Sequence, residues 1–257
     1  MKHILNKKAA VEFKLGTSNL HQTSQAIKSI TESKDDLLLA AYGYAHAETL
    51  NSMHLGKWLK SDSMRRLIIL VGIHDTDIDE TPPFTSLTKN FNILFSHWQQ
   101  NSVPLERIRI YAVQYWHAKI LASMQSIGSQ PKEDFDGADP ADFEKTFSYD
   151  PTYAIAGTVR EAVIGSSNAT RRGMGDSNFS WNTIRNFELD IHVLRGSTLE
   201  LGELSSKIDS ILRDAITLSN TEGSHSQIAT CELRKILHSA ASANPIYTNS
   251  PYKLYDI

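Results

Sequence analysis

Apolar residues fall into short continuous runs that alternate with segments of helical spacing. Residues 36–44 and 65–73 are largely apolar, whereas 18–31 and 46–60 carry apolar side chains three or four positions apart. A continuous run indicates a strand that is covered on both faces, and the wider spacing indicates an amphipathic helix. We therefore predict the strand–helix alternation of a layered α/β protein.

The rest of the chain continues in the same way. Residues 84–100 are predicted to be partly helical, and one further helix has its apolar face within 201–216. Further strands are predicted at 107–113, 117–125, 153–157, 161–165 and 187–194. We expect a three-layer α/β/α domain with a mixed β-sheet over residues 1–219. A short helix near 231–238 and an irregular tail would then make up residues 220–257.

Composition and charge exclude only a few classes of protein. An apolar fraction of 40% is ordinary for a globular protein, no window approaches a membrane span, and the basic N-terminus lacks an apolar core. The lone Cys231 fits a reducing compartment, so we expect a cytoplasmic protein. A net charge of −3 gives no support to a strongly basic nucleic-acid binder, although one basic cleft is sufficient for phosphate contacts.

Three short motifs lie at the ends of predicted strands. They are H-A-K at 117–119, G-S-S-N at 165–168 and N-F-E at 186–188. An H-x-K arises by chance in roughly half of such chains, so it is a poor motif alone. Its order with G-S-x-N and N-x-E, each beside an apolar strand, is much more specific.

This order resembles the phospholipase D superfamily, over most of the chain from Asp36 to about Ser219. The resemblance implies a phospholipase D-like α/β/α fold, with the motif-bearing strands central, and a phosphodiesterase that needs no metal. The usual motif continues with an Asp five residues after the Lys, and here that position is Met124. This departure makes the lipid-hydrolysing branch less favoured and leaves the role of that Asp unfilled.

The residue types suit hydrolysis of a phosphodiester in two steps. A neutral imidazole is a good nucleophile near neutral pH and its protonated form is a good acid, so the resemblance makes His117 the attacking residue. Lys119, two positions along a predicted strand, would share its face and neutralise the phosphate oxygens. Ser166 and Asn168 would donate hydrogen bonds to the same oxygens. Glu188 would bond the imidazole and fix its tautomer.

The mechanism implied by the resemblance needs two histidines, and the sequence has one H-x-K motif. A two-fold dimer solves this by placing one His117 from each subunit across the axis. The resemblance to single-motif bacterial nucleases of the family implies the same arrangement. We therefore predict a homodimer with one shared active site.

Other residues near the motifs have two interpretations each. Arginines around the second motif are either DNA phosphate contacts or part of a solvated helix start, and they are Arg160, Arg171, Arg172 and Arg185. Tyr115 and Trp116 form either a pocket wall or part of the core. The acidic segment 126–152 is either a solvated loop or a cover that competes with DNA for a basic cleft. Metal-binding motifs and phosphate-binding glycine loops were not found, so no cofactor is expected.

The favoured function is hydrolysis of DNA by a restriction or phage-defence endonuclease, because an uncontrolled cytoplasmic nuclease would harm its host. The last forty or so residues are too few for a DNA-reading domain. We therefore expect either a helicase or specificity subunit as a partner or a longer natural chain. The alternatives are a phospholipase or phosphatidyltransferase acting on lipid head groups, and a noncatalytic module that only binds nucleic acid.

Overall fold

The computed structural model describes residues 2–6, 9–15, 20–125, 158–165, 169, 189–193 and 202–242. Its strands are β1 (Lys2–Asn6), β2 (Ala9–Leu15), β3 (Leu37–Tyr42), β4 (Arg66–Ile73), β5 (Ile108–Gln114), β6 (Lys119–Gln125), β7 (Thr158–Gly165) and β8 (Leu189–Val193). They form one sheet in the order β1-β2-β8-β7-β6-β3-β4-β5. The pairs β3–β4 and β4–β5 are parallel and the others are antiparallel, so the predicted mixed sheet is confirmed.

Helices lie on both faces of this sheet. They are α1 (Leu20–Thr31), α2 (Ala47–Ser52), α3 (Leu55–Lys60), α4 (Asp75–Ile78), α5 (Thr85–Gln100), α6 (Gly202–Asn220) and α7 (His225–Ser242). One core cluster joins one face of the sheet to α1, α2, α3, α5 and α7, and a second cluster joins the other face to α6. The predicted three-layer α/β/α class is therefore confirmed.

The continuous apolar runs correspond to strands that are buried on both faces. In β3, Leu38 and Ala40 belong to the first core cluster, whereas Leu37 and Leu39 belong to the second. Burial of both faces removes the polar alternation that a half-exposed strand would show. The strands that carry the motifs, β6 and β7, occupy central positions in the sheet, as predicted.

Helix α7 covers the outer edge of β5. The Ala112 N–H donates to the Thr230 hydroxyl at 2.9 Å, and the Gln114 N–H donates to the Ser226 hydroxyl at 2.9 Å. These bonds satisfy donors that an edge strand would otherwise present to another chain. The helix is longer than the predicted 231–238, and it packs into the first core cluster together with the sheet.

Two parts of the fold differ from the prediction. The single helix predicted over 46–60 is wrong: it is divided into α2 and α3, and His54 between them has a φ of 58°. The turn lets α3 pack closely on α5, where a Cβ on Gly56 would lie 3.1 Å from the Trp98 indole nitrogen. Strands β1 and β2 were not predicted, and they extend the sheet beyond β8.

Candidate active site

The described residues next to the three motifs lie at strand ends on one side of the sheet, which we call the motif edge. Since β6 runs antiparallel to β3, it begins where β3, β4 and β5 end. Strand β7 ends at the same edge and β8 begins there, because each is antiparallel to its neighbour. Lys119 is paired with Gly165, and Gly165 is paired with Asp190. The topology therefore brings together the described residues next to the three motifs.

His117 lies in the turn between β5 and β6, and its side chain is exposed. The turn is held by the Tyr115 N–H, which donates to the Ile73 carbonyl at 2.9 Å. The strand predicted to begin at residue 117 begins at Lys119 instead, so strand alternation does not fix the direction of the imidazole. Lys119 is partly buried, at the first position of β6.

A second histidine, missed by the sequence analysis, contacts His117. The ring centroids of His74 and His117 are 5.1 Å apart with an interplanar angle of 51°. His74 also stacks on Tyr44, with centroids 4.1 Å apart and an angle of 17°. The three rings therefore form one connected group, which we call the stack, and it includes the exposed imidazole. His74 directly follows the apolar run 65–73, and that position at a strand end was the available signal.

His74 is not placed to act as the second catalytic histidine. Its ring is 8% exposed, and its Nε2 lies 3.1 Å from the Gly43 carbonyl. Because a carbonyl only accepts, this nitrogen carries the proton and donates it. A histidine that protonates a leaving group needs a ring N–H directed at that group, and the Nε2 proton of His74 is directed at the Gly43 carbonyl instead. His74 is better suited to hold the His117 ring in place.

Gly72 allows the loops around this stack to approach one another. A Cβ at this position would lie 2.5 Å from the Gly43 carbonyl oxygen and 2.6 Å from the Trp116 carbonyl oxygen. Both neighbours are backbone atoms that cannot move independently of their loops. Glycine is therefore required where the ends of β3, β4 and β5 meet.

Two tyrosines, one in the stack and one beside it, interact with carboxylates of helix α4. The Tyr115 hydroxyl donates to Asp75 Oδ1 at 2.8 Å, and this bond, followed by the charge of the same carboxylate, raises the pKa of Tyr115. Partial burial, followed by the charge of Asp77, raises the pKa of Tyr44. Both phenols therefore stay neutral up to a higher pH than an ordinary tyrosine.

Gly165, the first residue of the G-S-S-N motif, and Ala169, the residue after it, are described and lie at this edge. Beyond Gly165, the Ala169 N–H donates to the Tyr44 carbonyl at 3.1 Å, and the His46 N–H donates to the Ala169 carbonyl at 2.8 Å. Several predicted site residues lie outside the described residues, namely Ser166, Asn168, Arg171, Arg172, Arg185 and Glu188. Their assigned roles stay predictions.

Asp190 is a carboxylate near the motifs that the sequence analysis did not select. It is 3% exposed, and two strand spacings, about 10 Å, separate its backbone from that of Lys119. Gly165 stands between them without a side chain. Burial, followed by the charge of Asp190, raises the pKa of Tyr42 at the end of β3. Asp190 thus adds negative charge to the row of residues that contains Lys119.

Position 124, where the family usually has Asp, belongs to the core in this chain. Met124 is fully buried in the cluster under α6. Side chains alternate along β6, so residue 124 projects to the face opposite Lys119. A carboxylate there would be surrounded by apolar side chains, which explains why methionine suits the position.

The structure does not bring Arg160 to His117. Its side chain bonds Gln125, at the end of β6 that is farthest from the motif edge. Five positions along β7 separate Arg160 from Gly165, a distance of about 17 Å.

The two aromatic residues beside His117 differ in exposure. Tyr115 is 57% exposed, whereas Trp116 packs against the second core cluster.

Within the described ranges, no group of three or more His, Cys, Asp or Glu side chains is placed to hold a metal ion. The helices in those ranges also include none with the length and apolar character needed to cross a bilayer.

No protein-family model matches the chain, and no curated protein sequence matches it. Among solved structures, NucT from Helicobacter pylori is similar with a TM-score of 0.43 and 8% identity, over 80% of this chain and 97% of that one. Nuc from Salmonella typhimurium, a phospholipase D family member, gives 0.44 and 11%, over 82% and 95%. Phosphatidylserine synthase from Haemophilus influenzae gives 0.48 and 13%, over 92% of this chain and 47% of that one.

Proposed function

We propose that this chain is a phospholipase D superfamily nuclease that hydrolyses DNA without a metal, at an active site shared by two subunits. One observation carries the proposal. The Lys of H-x-K starts β6 at the motif edge, where Gly165, the first residue of G-S-S-N, and Ala169, the residue after that motif, also lie. Motifs about fifty residues apart in sequence are thus attached to neighbouring strand ends, around one exposed imidazole.

The reaction proceeds in two displacements. A ring nitrogen of His117 attacks phosphorus, a P–N bond forms, and the P–O bond to the leaving nucleotide breaks. The leaving oxygen takes a proton from the partner subunit's His117. Water then attacks phosphorus, the P–N bond breaks, and the proton released by water returns to the second imidazole. Lys119 neutralises charge on the non-bridging oxygens.

The dimer follows from the need for a second imidazole. His74, the histidine whose ring contacts His117, is tied to a backbone carbonyl and is nearly buried. The His117 ring is exposed, so the same edge of a second subunit can approach it. A two-fold axis near this edge places two His117 rings on opposite sides of one phosphate.

In the cell, we place this activity in restriction or phage defence. A cytoplasmic nuclease without control would cleave its host's own DNA. Control would come from a helicase or specificity subunit, or from competition between DNA and the acidic segment 126–152, which lies outside the described residues.

The direct test compares two substrates in EDTA, plasmid DNA and phosphatidylcholine vesicles. We expect cleavage of DNA alone, an acid-labile phosphohistidine in quenched reactions, and a loss of at least about 1000-fold in His117→Asn. The control is His97→Asn near the end of α5, outside the motif edge. Cleavage that stops in EDTA, or that survives in His117→Asn, would refute the proposal.

A mixing experiment tests the shared site. Wild-type and His117→Asn chains are combined in varied proportions and allowed to exchange subunits. If each site needs both imidazoles, activity falls as the square of the wild-type fraction. A linear fall, or a strictly monomeric active protein, would show that each chain has its own complete site.

A further inference from the structure

Two exposed tyrosine rings border the His117 site. Among the described residues, five large apolar side chains are exposed, and the two aromatic ones are Tyr44 at 45% and Tyr115 at 57%. Tyr115 is two residues before His117, and Tyr44 stacks on the histidine that contacts it. Both exposed rings therefore lie at the candidate active site.

Tyr115 is held in an unusual conformation. Its φ is 59°, a left-handed region that a bulky residue rarely adopts. The backbone bond to Ile73 and the hydroxyl bond to Asp75 hold it there. Strain of this kind persists at functional sites when surrounding contacts fix it. The ring is thus exposed and also fixed, which lowers the entropy lost when a ligand stacks on it.

Tyr44 is partly covered and partly exposed. The near-parallel stack with His74 covers one side of its ring, and the exposed fraction shows that part of the ring remains open to solvent. The ring lies within the sum of the two stack distances, 4.1 and 5.1 Å, from the His117 ring. A planar group on the nucleotide next to the attacked phosphate can reach it.

The charges near these rings favour a base over a phosphate. Asp75 bonds the Tyr115 hydroxyl, and Asp77 lies close enough to Tyr44 to raise its pKa. Carboxylates repel the phosphate backbone but accept hydrogen bonds from the amino groups of bases. In a duplex the bases are stacked inside and the phosphates are outside, so only unpaired bases can meet these rings.

We propose that Tyr44 and Tyr115 stack on unpaired nucleobases beside the phosphate attacked by His117, which makes single-stranded DNA the preferred substrate. This inference rests on the proposed function. Aromatic rings with carboxylates also bind quaternary ammonium groups such as choline. That use needs rings that surround the cation, whereas Tyr44 has one side covered by His74.

Stacking is measured first without catalysis. His117→Asn protein is titrated with a single-stranded oligonucleotide containing 2-aminopurine, whose fluorescence falls on stacking, and with its duplex. We expect quenching and at least tenfold tighter binding for the single strand, since each stacked base contributes about 1–3 kcal/mol, or about 5- to 100-fold. Removing the Tyr115 ring with Tyr115→Asn, which tolerates the left-handed backbone, lowers that affinity by this factor. Tyr115→Phe, which keeps the ring, retains most of it.

Cleavage rates give the second readout. The wild-type enzyme is compared on a single-stranded oligonucleotide and on one of equal length with abasic sites. The ratio of the two kcat/KM values falls about 5- to 100-fold in Tyr44→Leu and in Tyr115→Asn. It is retained in Tyr44→Phe and in Met64→Ala, an exposed side chain just before β4, away from the motif edge.

Equal binding of duplex and single strand, or an unchanged ratio in the ring-less variants, overturns the inference. Displacement of the oligonucleotide by phosphocholine also overturns it, in favour of a lipid head group. If the abasic strand is cleaved but stacking is absent, this inference fails and the proposed function stands. If stacking is present and neither strand is cleaved, the proposed function fails and the inference about stacking stands.

Discussion

Two histidine pairs on this sheet differ in almost every respect. His192 donates to Glu161 at 2.8 Å, and both residues are 4% exposed, on the sheet face that also packs against α1. His117 is exposed at the sheet edge, and its described neighbour is the ring of His74. The pair with a carboxylate looks more like a catalytic dyad, yet solvent hardly reaches it. Among the described residues, access at the strand ends distinguishes the candidate nucleophile, because the one described histidine–carboxylate pair in this comparison is buried.

The largest expected effect on stability is in the buried pair. Glu161→Ala leaves the His192 imidazole without its partner in the core, so we expect a loss of about 3–5 kcal/mol in the free energy of unfolding. Glu161→Gln keeps an acceptor and costs less. Urea unfolding measures both. The folded fraction should keep its DNA cleavage rate, and a rate loss in a variant of normal stability would assign the buried pair to catalysis instead.

The second prediction concerns the packing beneath the exposed pair. Gly72→Ala forces the Gly43 and Trp116 carbonyls apart, so we expect about 1–3 kcal/mol of destabilisation and a roughly 100-fold loss of kcat, since small displacements of catalytic groups are costly. Urea unfolding and steady-state cleavage measure the two effects.

Gly56→Ala is the matched control, because its Cβ would meet the Trp98 side chain 3.1 Å away, outside the motif edge. That variant should lose stability and keep kcat. Equal activity of Gly72→Ala and the wild type would show that the close approach of the loops does not position His117.

Strands of the sheet could be predicted where their burial requires a continuous run of apolar residues in the sequence. Strands β3 and β4 are continuous apolar runs because both of their faces are covered, and this was visible in the sequence. The break before α3 was not, because apolar spacing continues across Met53 and His54. Close packing against Trp98, which is distant in sequence, decides the turn.

The candidate site also has a part that could be predicted from the sequence and a part that could not. His117, Lys119 and Gly165 could be placed at strand ends from the sequence, because each motif is adjacent to an apolar run. His74 and Tyr44 join them because β3 lies between β6 and β4, an order that no local pattern specifies. The H-x-K motif was therefore predictable, and its aromatic surroundings were not.

The third prediction separates the ring of His74 from its hydrogen bond. His74→Gln can still donate to the Gly43 carbonyl but has no ring, whereas His74→Phe keeps a ring and loses the donor. If ring contact orients His117, kcat falls about tenfold in the Gln variant with little change in KM, and less in the Phe variant.

Steady-state kinetics on a single-stranded oligonucleotide, with His97→Gln as the control, measure this difference. The opposite ranking, with Gln more active than Phe, would assign the role of His74 to its bond with Gly43. Equal activity of all variants would mean that the stack does not orient His117.

The smallest expected effect is on the pH dependence of stability and concerns Tyr42, the buried last residue of β3. Burial and the charge of Asp190 raise its pKa, so the folded state favours the neutral phenol. As pH rises through about 10, the unfolded chain releases this proton first, and stability present below that pH is lost above it. At about pH 10.5 the loss from this group is about 0.8 kcal/mol relative to about pH 8. The Tyr42→Phe variant has no ionisable phenol at this position, so its urea midpoint should fall less over the same rise in pH. An equal fall in both proteins would mean that burial and the charge of Asp190 do not hold the phenol neutral in the folded state.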